Sequence, residues 1–206
     1  MNITCGPDSD KKTFSITLPN KPSKLGVLVS GGIDSAVLYY LIHLTNRLAG
    51  NHHDIVPMTI MRKEGSRYFA QGVIDRIHQL LKLSHTAATL IGDNALPEEQ
   101  QVKSAVLQAH AQGFDIVYCG VIVQLPQHMV NWQPIPSRES SRFKTPLQAL
   151  NKSHIIDLCV MLDRTDLFAI THSCSILEQE RCNQCNGCNE RSWGFAQLSL
   201  VDPGML

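Results

Sequence analysis

The chain alternates between two kinds of apolar run. Short runs that are apolar on both faces are separated by longer stretches in which apolar residues return every three or four positions. "LGVLV" (25–29) is the first short run, and it reads as a buried strand. "DSAVLYYLIHLTNRLA" (34–49) is the first long one, a helix with Gly50 as its C-terminal stop. The alternation continues. "DIVPMTIM" (54–61) is a second strand, although Pro57 weakens its start. A helix over 67–83 follows, then a strand "TAATLI" (86–91). A helix over 97–112 has Pro97 in its first turn, and "DIVYCGVIV" (115–123) is a fourth strand. Strands that alternate with helices predict an α/β fold with a parallel sheet wrapped on both faces.

The two ends of this pattern differ from its middle. Residues 1–24 read as an extended lead-in with one edge strand in "TFSITLP", closed by Pro19 and Pro22. Residues 124–144, "QLPQHMVNWQPIPSRESSRFK", break the rhythm with three prolines and read as a long loop, of the length that usually carries function or is disordered. Asn151 then suits a helix N-cap, with Lys152 as the first helical residue. A cysteine-rich stretch and a last helix through "CNERSWGFAQLSL" complete the chain. The expected organisation is an α/β nucleotide-binding domain over 1–172 and a metal-binding C-terminal segment over 173–206, both within one compact unit.

Composition narrows the function classes. At 206 residues the chain is long enough for one good-sized core. Lys+Arg and Asp+Glu both number 18, and this neutral balance speaks against nucleic acid or an anionic membrane as a partner. Arg138, Arg142 and Lys144 form a local basic group, read first as a solvated loop. No apolar run approaches the ~20 residues of a membrane span, and the N-terminus lacks the pattern of a signal peptide. The expectation is a soluble, cytoplasmic protein that acts on a small molecule. Of seven cysteines, four (Cys174, Cys182, Cys185 and Cys188) fall within fifteen residues, which favours a metal over disulfides.

Two stretches carry candidate chemistry. Val29, Ser30, Gly31, Gly32, Ile33, Asp34 and Ser35 lie where the first strand turns into the first helix. The glycines let the backbone curl without a side chain in the way, and N–H groups at the helix start point at an anion, helped by the helix dipole. Unlike the loop of P-loop nucleotidases, this one contains no lysine, so positive charge must come from elsewhere or from Mg²⁺. Asp34 either caps the helix or faces that Mg²⁺, and the two roles are compatible. In the second stretch, the spacing Cys-x7-Cys-x2-Cys-x2-Cys encloses Zn²⁺ tetrahedrally in a closed, structural site, and Asn183, Asn186 and Gly187 suit its tight turns. An iron–sulfur cluster competes for the same four thiolates. His172 is not needed as a ligand and is expected to pack or to face the pocket.

Ser30-Gly31-Gly32-Ile33-Asp34-Ser35 matches, over all six positions, the Ser-Gly-Gly-x-Asp-Ser signature of the PP-loop ATP pyrophosphatases. The resemblance implies a five-stranded parallel sheet of the adenine nucleotide alpha hydrolase type, a Rossmann-like three-layer fold. It also implies ATP cleaved between its α and β phosphates, with AMP attached to a substrate oxygen. "THSC", the cysteine triplet and "NERSWGFAQLSLVDPG" resemble the C-terminal end of the 7-cyano-7-deazaguanine synthase family. "LNKSHIIDLCVML" resembles that family's Leu-Ser-Lys-x-Glu-Ile-Ile helix start. Such enzymes adenylate the carboxylate of 7-carboxy-7-deazaguanine and convert it with ammonia to the amide and then the nitrile, in queuosine precursor synthesis. Carried over, Val29 to Ser35 hold ATP, Asp34 and Lys152 are catalytic with Lys152 reaching the phosphates, and the four cysteines bind zinc. Mg²⁺ and a homodimer are implied as well.

The middle third departs from that family. Where it has Val-Pro-Gly/Ala-Arg-Asn, this chain has Leu96-Pro97-Glu98-Glu99-Gln100, and the segment after the fourth strand is unlike its acidic, tyrosine-rich counterpart. Arg138 and Arg142 are candidates to replace the lost positive charge, and Trp132 to stack on a planar base. Three alternatives stay open: a related enzyme that activates a different carboxylate or joins it to another amine, a tRNA thiolase with Cys119 as its reactive thiol, and a nucleotide-binding module without turnover.

Overall fold

The computed structural model describes residues 1–60, 66–123, 126, 139–177 and 180–205, with the side chains of residues 66–68, 98, 99 and 205 outside that description. Five parallel strands form the central sheet: β3 (Lys24–Leu28), β4 (Asp54–Ile60), β5 (Thr89–Ile91), β6 (Ile116–Cys119) and β7 (Phe143–Lys144), in the order β5-β4-β3-β6-β7. The helices are α1 (Ile33–Leu48), α2 (Ser66–Leu81), α3 (Glu98–Ala111), α4 (Lys152–Met161), α5 (Asp166–Ile170) and α6 (Asn186–Gln197). The expected α/β architecture with five parallel strands is therefore present.

Alternation along β3 divides the core. Leu25, Val27 and Val29 point into the larger cluster with α1, α2, α4 and α5. Leu28 points to the other face, where Met58, Val117 and the α3 residues Ala105 and Ala109 close a smaller one. Pro57 sits inside β4 opposite Val27. Met58 bonds towards β3 through its carbonyl, so the missing N–H of Pro57 falls on the β5 side. There β5 starts only at the level of Met58, and no ladder bond is lost. Gly50 has φ +93 and follows the α1 cap residue Ala49, as a helix stop requires.

Several boundaries differ from the expectations, and β5 covers only Thr89–Ile91 of the strand expected over 86–91. Pro97 is the N-cap of α3 and not a first-turn residue. The strand expected over 115–123 ends at Cys119. Phe143 and Lys144, read as loop, form the edge strand β7 against Val117 and Tyr118. The lead-in is a hairpin, β1 (Asn2–Cys5) with β2 (Lys12–Ser15), and not a single strand. It is tied to α4: the Gly6 N–H donates to Asp157 Oδ2 at 2.7 Å, and His154 Nε2 lies 2.7 Å from the Asp10 carbonyl oxygen. Among the described residues no helix is long and apolar enough to cross a membrane.

Candidate active site and metal centre

The order of strands reverses at β3, with β4 on one side and β6 on the other. In open α/β sheets a crevice opens beyond the strand ends at this switch point. Here a cavity of about 290 Å³ is lined by Val29, Ser30, Asp34, Ser35, Gly120 and Glu190, among others. The loop after β3 is braced from within. The Ser30 N–H donates to Ser35 Oγ at 3.1 Å, and the Ser35 hydroxyl donates to the Gly32 carbonyl at 2.9 Å. Gly31 has φ +86, in the left-handed region that a side chain disfavours. Gly32 is the N-cap of α1 and makes no side-chain cap bond. Asp34 is not the cap that the sequence allowed; it sits in the first turn and its carboxylate is used elsewhere. Gly120, at the β6 exit, carries no sequence signal, yet a Cβ there would lie 3.0 Å from the backbone of Asp34 and Ser35.

The lysine absent from the loop arrives from α4. Asn151 caps that helix as expected, its side chain accepting from the N–H groups of Ser153 and His154, with His154 completing a reciprocal box. This fixes Lys152 as the first helical residue, 4% exposed. Its Nζ donates to Asp34 at 2.8 Å (Oδ1) and 2.6 Å (Oδ2), and Glu190 Oε2 lies 3.3 Å away. Burial disfavours the ammonium, but the charges of Asp34 and Glu190 outweigh it and hold the Lys152 pKa above its ordinary value. Burial pushes Glu190 upward, against the pull of Lys152. Glu190 Oε1 is buried without a hydrogen-bond partner among the described residues.

Gly194 is what lets Glu190 reach. It lies one helical turn beyond Glu190 on α6, and a Cβ there would stand 2.8 Å from both Lys152 Cγ and Ile156 Cδ1. Gly194→Ala is expected to force α6 off α4, cost about 1–3 kcal/mol as an overpacked contact, and loosen the Lys152–Glu190 pair. Urea denaturation measures this; a variant as stable as the parent would refute the close-packing role.

The four cysteines converge. Their Sγ atoms all lie within 4.8 Å of one another, and a tetrahedral ion with bonds of roughly 2.3 Å needs sulfurs about 3.8 Å apart. The Cys174 and Cys185 sulfurs are already 3.9 Å apart. Backbone N–H groups of Leu177, Cys185 and Cys188 point at the sulfurs of Cys174, Cys182 and Cys185, as in a site built for thiolates. Burial opposes the Cys185 thiolate, but hydrogen bonds from Ser175 and Cys188 lower its pKa, whereas burial and the neighbouring Cys185 raise that of Cys188, so one thiolate forms at the other's expense until a cation joins them. Asn183 takes the left-handed turn (φ 55), whereas Asn186 opens α6. Gly187 lies inside α6 against the Ser173 carbonyl, where a Cβ would collide. These residues fit a metal ion, which would hold the start of α6 in place.

His172 is not part of the cluster. Its ring stacks on Phe69 at 4.3 Å and its Nε2 lies 2.9 Å from the Leu177 carbonyl oxygen, while its backbone N–H donates to Gly31 at 3.0 Å. Burial lowers its pKa. Arg191 is fully buried and bidentate on Asp202 (2.8 and 3.0 Å), with Nη1 donating to the Thr171 carbonyl at 3.1 Å. Asp202 is held below the usual carboxylate range, since hydrogen bonds and charge from Arg191 outweigh its burial. Arg142 does not face the cavity; it donates to the carbonyls of Phe114 (2.9 Å) and Asp115 (3.2 Å) at the start of β6, the opposite end of the sheet. Lys144 lies in β7, and Cys119 lines the cavity at the β6 exit. Trp132, Arg138 and the side chains of Glu98 and Glu99 lie outside the described residues.

The model of a family described as "Queuosine biosynthesis protein QueC" matches residues 117–199, which include Lys152, Glu190 and all four cysteines. Over those residues the chain is similar to that family. Among similar curated proteins, a 7-cyano-7-deazaguanine synthase of Thermoplasma volcanium is 35% identical over 66 residues, 32% of this chain and 27% of the relative. One from Leptospira biflexa is 27% identical over 120 residues, 49% of this chain and 48% of the relative. The matches thus span between about a quarter and a half of those relatives. A U34-tRNA thiolase NcsA from Methanococcus maripaludis, solved with its [4Fe-4S] cluster, aligns with a TM-score of 0.45 at 15% identity, over 90% of this chain and 69% of that one. The fold assignment of this chain rests on its own strand order. The matched family span begins at Val117, so the Ser30–Ser35 loop joins it through the fold alone, where Lys152 meets Asp34.

Proposed function

We propose that this QueC-like chain is an ATP-dependent, AMP-forming ligase. It would adenylate the carboxylate of 7-carboxy-7-deazaguanine and carry it with ammonia through the amide to the nitrile. The observation that carries this reading is the Lys152 ammonium on Asp34, at the mouth of a Gly-Gly loop that has no lysine of its own. The N–H groups of the loop and of the first α1 turn would hold the phosphates. Lys152 would stabilise the charge that gathers on the α phosphate as pyrophosphate leaves. Mg²⁺ would take lone pairs of Asp34 that Lys152 leaves open and would neutralise the polyphosphate. The four cysteines would hold structural Zn²⁺, since sulfurs within 4.8 Å suit one ion better than a multi-iron cluster with each thiolate on its own iron. The packing of α6 on α4 supports treating residues 173–206 as part of one unit with the rest.

A second reading keeps the adenylation and changes the acceptor amine. It is favoured by Glu99 and Gln100, which stand where the related family carries an arginine and an asparagine. Incubation with ATP, Mg²⁺, ammonium and 7-carboxy-7-deazaguanine separates the readings. Pyrophosphate together with a nitrile product is the expected result. Pyrophosphate without nitrile favours the changed acceptor, and the absence of both refutes adenylation of this substrate.

A further inference from the structure

Lys152 stands behind the carboxylates that line the cavity. Asp34 and Glu190 both line it, whereas Lys152 is not among its lining residues in the described part of the chain. A lysine ammonium has three N–H donors. Here two go to Asp34, at 2.8 and 2.6 Å, and Glu190 Oε2 lies 3.3 Å from the same nitrogen. The Lys152 side chain is 5% exposed against 23% for Asp34, so a ligand in the cavity meets the Asp34 carboxylate first. The free protein thus presents negative charge to a triphosphate and keeps the matching positive charge out of its reach. A divalent cation meets the opposite difficulty. Each Asp34 oxygen accepts one N–H from Lys152 and keeps a lone pair, but the ammonium already sits 2.6 Å from one of them. Asp34 suits Mg²⁺, which keeps several waters and takes one or two carboxylates together with phosphate oxygens.

We infer that the Lys152–Asp34 ion pair is a latch that couples the binding of ATP to that of Mg²⁺. This rests on the proposed ATP site and adds how that site opens. With ATP alone, Lys152 reaches the phosphates only by leaving Asp34 as an unpaired carboxylate beside them. The apolar wall of Leu28, Ile60, Val102 and Ile122 screens that repulsion poorly. With Mg²⁺ alone, Asp34 holds two cations at once, and Lys152 has no anion to move to, its stem packed against Gly194. With both ligands, Asp34 passes from Lys152 to the metal and the freed ammonium turns to the phosphate oxygens. One ion pair is exchanged for two, and no covalent bond changes. Each ligand then tightens the other, by equal factors.

Asp34→Asn keeps the shape and an oxygen for Lys152 but removes the charge that holds it. In Mg²⁺-free buffer this variant is expected to bind ATP at least about fivefold more tightly than the parent, the lower end of ordinary coupling between sites. Adding Lys152→Met should abolish the gain, because the gain comes from the freed ammonium. Calorimetry reads the three affinities, and metal analysis checks that the three proteins carry the same metal. No gain in Asp34→Asn would overturn the inference, as would a gain that survives Lys152→Met and so reflects lost repulsion alone. A second measurement uses the parent protein. The nitrogen-15 resonance of the Lys152 ammonium, assigned by its loss in the double variant, should stay in place with ATP alone or Mg²⁺ alone and move with both. Movement with ATP alone, or none with both, would also overturn the latch. In each of these cases ATP binding by the parent with Mg²⁺ leaves the proposed function standing. A parent that binds ATP neither with Mg²⁺ nor without it overturns both.

Discussion

Lys152→Met is expected to lower the proposed pyrophosphate release by about 10²–10³-fold, the loss typical for one preorganised charge donor at a transition state. It also destabilises the fold by roughly 3–5 kcal/mol, the usual cost of removing one partner from a buried ion pair. Methionine fills much of the same channel past Gly194 and Ile156, so packing changes little. The charge balance changes completely. Glu190 is 5% exposed and would be left buried beside Asp34 with nothing to neutralise either. The pH dependence carries the signature. Glu190 is already raised by burial, and Lys152 is the group that opposes this. Without Lys152, the folded-state pKa of Glu190 rises further above its unfolded value. Such a group contributes stability that is complete below the unfolded carboxylate pKa and is lost as pH rises through the folded one. The variant is therefore expected to be most stable in acid and to weaken towards neutrality. In the parent the raised Lys152 pKa keeps the ammonium's contribution present until strongly alkaline pH. Denaturant midpoints at about pH 5 and pH 8 test this; a variant with the same pH profile as the parent would remove the three-charge account of the site.

How much of this was legible in the sequence depends on the range of the interaction involved. The β3–loop–α1 unit and the α4 cap were legible because each is local: a strand, two glycines and a helix in a row, or an asparagine with its partners within three residues. Two of the shortest strands, β1 and β7, were not. β7 has two residues and exists by pairing with Val117 and Tyr118, and β1 has four and exists by pairing with β2, so neither is long enough to show a period. The site itself is a tertiary convergence. Asp34 and Lys152 are 118 positions apart, and Glu190 sits in a polar stretch where nothing marks it as buried. Gly120 and Gly194 look like ordinary glycines until the neighbouring backbone or helix is in view. Arg142 misled in the opposite direction. Its charge suggested an anion, but its guanidinium serves two backbone carbonyls at the far end of β6.

Stripping the metal is expected to disable the proposed nucleotide site, although none of the four clustered cysteines lines that cavity. Three connections carry the effect. Cys185 caps α6 through its sulfur, and Cys188 is on that helix two residues before Glu190, so losing the ion frees the end that places Glu190 against Lys152. His172, two residues before Cys174, donates its N–H to the Gly31 carbonyl in the phosphate loop itself. Between them Arg191 spans from α6 to the Thr171 carbonyl and Asp202, tying both paths together. A structural metal contributes its binding free energy to folding, and here that free energy would be applied to the two segments that frame the proposed ATP site. Chelation, or Cys185→Ser, is therefore expected to remove amide-exchange protection from α6 and to lower pyrophosphate release at least about tenfold, while the α1–β3–β4 core stays protected by its own apolar cluster. Metal analysis alongside exchange mass spectrometry follows both effects, and the sulfur-bound element it finds separates zinc from iron. Full turnover and a protected α6 in the metal-free protein would show that the knuckle is an independent appendage, and that Glu190 and the loop are held by the Arg191–Asp202 network alone.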